Sequence, residues 1–189
     1  MLLFPPSPAD WLPEGHFAHV INDMAGLLDL SAIYDSYRDP RGQPPYHPAM
    51  MVRVWIYGLS KGIHSSRKLE RALYEDVGLR YLSGNQQPGY WALSEFRRRH
   101  KKALGDLLIQ SVALAGKAGL VKLNHVAIDG TKIKANASKH KAMSYARMKK
   151  EEERLRQEIQ RLMDEVEAND RAEDEKYGDR RGDELPPEL

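Results

Sequence analysis

Cysteine is absent from the 189 residues, which rules out disulfides and thiolate zinc sites and suits a reducing compartment. No apolar run approaches the roughly 18 residues that a membrane-spanning helix needs. Met1-Leu2-Leu3-Phe4 leads straight into Pro5-Pro6, without the basic stretch of a secretory leader. The expected location is cytoplasmic. A P-loop, a Gly-x-Ser-x-Gly elbow and the Rossmann glycine pattern are all missing. The seven histidines lack metal-ligand spacing. His16 and His19 stand three apart with no cysteine or carboxylate partner, and read as capping or surface residues.

A strong charge of one sign is also lacking, since the net charge is only +2. That average hides segregation. Residues 53–102 carry eleven Lys and Arg against four Asp and Glu, and residues 132–150 carry seven cations and no acid. Residues 151–189 reverse the balance with fifteen acids against seven cations. Two separate basic blocks point to a polyanionic partner.

Hydrophobic periodicity predicts helices over most of the chain. Phe17, Val20, Ile21, Met24, Leu27 and Leu28 form one stripe across residues 16–30. Pro40–Pro45 breaks the chain. Pro48 then opens a second helix with Met50, Met51, Val54, Trp55 and Leu59 facing inward, and Gly58 and Gly62 weaken its end. Ser65-Ser66 supplies an N-cap for a third helix to Glu75, with Leu69, Ala72 and Leu73 inward and Arg67, Lys68 and Arg71 outward. A short apolar segment (Val77, Leu79, Leu82) leads into the loop 84–89. A fourth helix is expected from about Leu93 to Lys117, with Arg97, Arg98, Arg99, Lys101 and Lys102 crowding its early turns. At Gly119 the texture turns to β-formers. A strand ending at Ile128, a turn at Asp129-Gly130 and a second strand through Ala135 are expected. From Ser138 a helix resumes, with Met148, Leu155, Ile159, Leu162, Met163 and Val166 as a coiled-coil-like seam. Its acidic continuation is expected to be disordered.

The stretch Ile128-Asp129-Gly130-Thr131-Lys132-Ile133-Lys134 places one carboxylate at a strand end inside a cationic field, a setting suited to a divalent metal held against a phosphodiester. As an isolated tripeptide, Asp-Gly-Thr is more often a hairpin turn. The run Arg97–Lys102 reads either as a solvated helix face or as a phosphate-contacting surface. Five positive charges in six residues repel one another, which favours a polyanion.

Three segments taken together, Pro45-Tyr46-His47-Pro48-Ala49-Met50, Ser65–Ala72 and Phe96-Arg97-Arg98-Arg99-His100, resemble the N-terminal helical domain of bacterial insertion-sequence transposases. The segment 125–145 is similar to the opening of their ribonuclease H-like catalytic domain. Where the family often has an acidic or small polar residue before the Phe-Arg-Arg-Arg helix, this chain has Gly89-Tyr90-Trp91-Ala92. The resemblance implies a DDE enzyme in which Asp, Asp and Glu hold two Mg²⁺ ions, with Asp129 as the first ligand. Two-metal chemistry activates the nucleophile and stabilises the leaving oxygen. It also implies double-stranded DNA at terminal inverted repeats as the partner, with a homodimer possible.

The expected fold is mainly α. A helix-turn-helix-like domain (1–118) is followed by the first strand pair of an incomplete ribonuclease H-like fold (119–137), a helical arm (138–168) and an acidic disordered tail (169–189). The expected phosphate contacts are Arg67, Lys68, Arg71, Arg97, Arg98, Arg99, Lys101, Lys132, Lys134, Lys139 and Lys141. One carboxylate cannot organise two metals, so the chain alone is expected not to cleave DNA. The alternative is a catalytically silent, truncated competitor or regulator that binds DNA.

Overall fold

The computed structural model describes residues 7–37, 46–119 and 145–186. A 3-10 turn (Pro8–Trp11) is closed by Ser7 and Asp10 in a reciprocal cap. It leads to α1 (Phe17–Ala25), whose N-cap is His16: its Nδ1 accepts from the Ala18 N–H at 3.2 Å. Helix α1 stops at Gly26, earlier than the periodicity predicts. Leu27, expected in the stripe, is therefore 72% exposed, while Ile21 and Leu28 are buried. The short α2 (Ser31–Tyr34) follows.

Helix α3 (Pro48–Ser60) is the centre of the fold. Val52, Val54, Trp55 and Tyr57 have no exposed surface, so the helix is apolar nearly all round, as an internal helix must be. Gly58 matters here through the approach it permits. A Cβ on it would lie 2.6 Å from Leu69 Cδ1 of α4, so its hydrogen lets α4 (Ser66–Glu75) pack close against α3. Ser65 caps α4 as expected, accepting from the Lys68 N–H at 3.2 Å. The segment 77–82 forms α5 (Val77–Leu82), capped by Asp76. The loop that follows uses Gly84 and Asn85 with positive φ.

The single helix expected over 93–117 is two. Helix α6 (Tyr90–Arg99) ends at His100 (φ −111°, ψ 20°), and α7 (Lys101–Lys117) begins there. His100 is buried between Phe96 and Tyr37, with ring centroids at 4.9 and 5.9 Å. This packing holds the break, which no Gly or Pro marks.

Helix α8 (Tyr145–Tyr177) runs 33 residues, about 50 Å at the usual rise. Ile159, Leu162, Met163 and Val166 are buried in the same core as α7. The coiled-coil-like seam is thus satisfied inside the chain. Met148 falls outside the described side chains.

Two expectations change. The described residues are mainly helical and include no strand. The strand pair expected at 119–137 finds no support among them, since except for Gly119 it lies outside the described residues. The acidic stretch 169–186, expected to be disordered, completes α8 and then folds back as a 3-10 turn (Gly182–Glu184) against α4. It finds order because Asp174 meets Arg67 of α4 and Asp170 meets Arg97 of α6.

Candidate nucleic-acid interface

The N-terminus of α4 presents N–H groups that have no carbonyl partner within the helix, and the positive end of a helix dipole. Ser66 N–H donates to Asp170 Oδ1 at 2.7 Å, and Ser66 Oγ donates to Asp170 Oδ2 at 2.7 Å. Ser65 Oγ donates to Glu173 Oε2 at 2.6 Å. From α6, Arg97 Nη2 reaches Asp170 Oδ2 at 3.0 Å. A backbone N–H, two hydroxyls and a guanidinium thus form an anion cradle, and carboxylates of α8 fill it. Burial, the largest influence, pushes the Glu173 carboxyl above the usual range, against the pull of the Ser65 hydroxyl.

Around the cradle the pairing continues. Arg67 Nη1 bonds Asp174 Oδ1 at 2.7 Å, its other nitrogens bond the carbonyls of Gly178 and Arg180, and its guanidinium lies 3.9 Å over the Tyr90 ring. Arg71 donates to the carbonyls of Gly182 (2.9 Å), Leu185 and Pro186. In return Glu70, fully buried, accepts from Arg181 Nε at 3.1 Å and from the Gly182 N–H at 2.7 Å. Lys101 opens α7, where the helix dipole repels a cation. Asp164 and Glu167 answer it at 2.8 and 2.6 Å. Their hydrogen bonds raise the Lys101 pKa, and Lys101 holds both carboxyls below their usual range.

The sequence-predicted cations therefore divide. Arg67 and Arg97 are buried, Arg71 and Lys101 are half-buried, and each is engaged by residues 164–186. Lys68, Arg98 and Arg99 are exposed; Arg98 and Arg99 touch Glu95 of their own helix. Beside Arg98, a cleft of about 300 Å³ between the start of α6 and the end of α8 holds Trp91, 69% exposed. Asp129, Lys132, Lys134, Lys139 and Lys141 lie outside the described residues. Among the described residues no three His, Cys, Asp or Glu side chains converge on a possible metal position. The described acids do not complete a Mg²⁺ site.

Sequence reasoning missed Ser65 and Ser66 as donors, and Asp170, Glu173 and Asp174 as their partners. A signal was present. Val166, Asp170, Glu173 and Tyr177 continue the α8 seam at steps of four, three and four, so the acids occupy the face that packs.

Residues 6–99 match the profile of a transposase domain, DUF772. The chain therefore carries a transposase-family domain over α1 to α6. No curated protein and no solved structure gives a match. Among the described residues, no helix is long and apolar enough to cross a membrane.

Proposed function

We propose that this chain is a DNA-binding part of a transposase, engaging the duplex through the surface built from α4, α6 and the start of α7. The observation that carries the reading is the concentration of cations on α4 and α6 within a transposase-family domain, continued at the adjoining start of α7. The buried arginines Arg67 and Arg97 are engaged by α8 and the chain after it. Lys68, Arg98, Arg99 and Lys102 are exposed and are the described candidates for phosphate contacts. Trp91 stands seven residues before Arg98, two turns along the same face of α6, and adds an aromatic surface beside the guanidinium. Lys132, Lys134, Lys139 and Lys141 extend the proposed contact set. Asp129 is proposed as the first carboxylate of the DDE set, working with Mg²⁺ in the cytoplasm at terminal inverted repeats.

Binding of a DNA duplex by the purified chain, titrated with salt, tests the reading. About six phosphate contacts give a slope of log K against log salt near −5. Replacing Arg98 and Arg99 by Ala shallows it by about 1.8, two contacts at about 0.9 each. A slope near zero, or one indifferent to the double substitution, removes these helices from the interface.

A further inference from the structure

We infer that the anion cradle at the start of α4 is a phosphodiester site, and that residues 167–186 act as a strap holding it closed in cis. The inference rests on the DNA-binding reading and adds its regulation. Asp170 presents one negative charge on two oxygens to the Ser66 N–H, the Ser66 hydroxyl and Arg97. A phosphodiester presents the same charge on two non-bridging oxygens, so the two ligands exclude each other. The carboxylate also leaves the cradle under-filled. Arg97 Nε and Nη1 are fully buried without a hydrogen-bond partner, and the nearest other carboxylate oxygen, on Glu167, stands 3.9 Å from Nη1. The ester oxygens of a phosphate supply acceptors that a carboxylate lacks.

The attachment of the strap fits release. Up to Val166, α8 is held by buried apolar side chains. Beyond it the ties are hydrogen bonds and ion pairs, and Leu185 is the one buried apolar side chain of 167–186. The strap can leave while the seam at 159–166 keeps α8 anchored. At Gly182 the strap lies so near α4 that a Cβ would collide with the Arg67 carbonyl. Shape fixes that position together with the Gly182 N–H bond to Glu70 and the Arg71 bond to the Gly182 carbonyl.

Two substitutions in the full chain separate strap release from net charge. Gly182→Ala lifts the strap without changing charge. Arg181→Ala removes its tie to Glu70 while making the chain more acidic, which by charge alone weakens DNA binding. Affinity for a 30-base-pair duplex, read by fluorescence anisotropy at fixed salt, is expected to rise about tenfold in both, as follows if the strap is open in about one wild-type molecule in ten. Glu175→Gln, at an exposed position on α8, is the charge control and is expected to stay within about twofold. In wild type, saturating duplex is expected to speed amide hydrogen exchange across 170–184 and leave 159–166 protected. Wild-type binding with no gain in Gly182→Ala, or weaker binding in Arg181→Ala, overturns the strap and leaves the DNA reading standing. Absence of duplex binding by wild type and both variants at low salt overturns the two together.

Discussion

Leu162→Ala tests whether the long helix belongs to its own chain. Leu162 is buried, and it lies among Ile159, Met163 and Val166 in the core shared with α7. The substitution removes about three methylene equivalents, worth roughly 0.8 kcal/mol each or about 2.4 kcal/mol of transfer free energy. The cavity left behind adds to that, and Met163 can flex only partly into it. The expected loss is about 3 kcal/mol, inside the range of buried Leu→Ala changes. Alanine favours helix at least as well as leucine, so the loss reports packing. At roughly 2–4 °C per kcal/mol for a chain of this size, the melting temperature falls by about 6–12 °C. The assay is calorimetric or circular-dichroism melting at two protein concentrations a hundredfold apart. An intramolecular seam gives the same shift at both. A loss below about 1 kcal/mol, or a melting temperature that climbs with concentration, refutes the assignment and returns the seam to a dimer contact.

Two further outcomes follow from buried groups. The folded-state pKa of Glu173 is raised from 4.5, chiefly by burial, so stability from its neutral form is full below pH 4.5 and is lost as pH rises through the folded value. Glu173→Gln keeps an acceptor for Ser65 and cannot ionise. The melting-temperature gap between variant and wild type should therefore be small near pH 4 and open in the variant's favour toward pH 7; a gap that narrows over that range contradicts the sign. Gly58→Ala places a methyl against Leu69, which is fully buried, and is expected to cost about 1–3 kcal/mol in urea unfolding. A neutral result shows that α3 and α4 can separate without loss.

The sequence made the helical body readable because apolar residues repeat at helical spacing and the caps are local. Ser65 before α4, Pro48 at the start of α3 and the loop 84–89 are decided by residues a few places apart. The orientation of the cations was not readable in this way. Arg67 and Arg97 carry no mark distinguishing them from Lys68 and Arg98, and their partners lie 73 to 113 residues away. Charge excess suggested a polyanion for the basic block and solvent for the acidic one. Pairing the two blocks with each other accounts for the buried members of both. The break at His100 was equally hidden, since it comes from rings of α6 and of the segment after α2 closing on one imidazole.

The change of character at Val166 gives α8 two different responses to its surroundings. The stretch 159–166 is held by the hydrophobic effect, which weakens on cooling and strengthens in salting-out electrolytes. The stretch beyond it is held by ion pairs and hydrogen bonds, and its exposed pairs loosen as added salt shortens the Debye length. Added salt therefore tightens one stretch of a continuous helix and loosens the other.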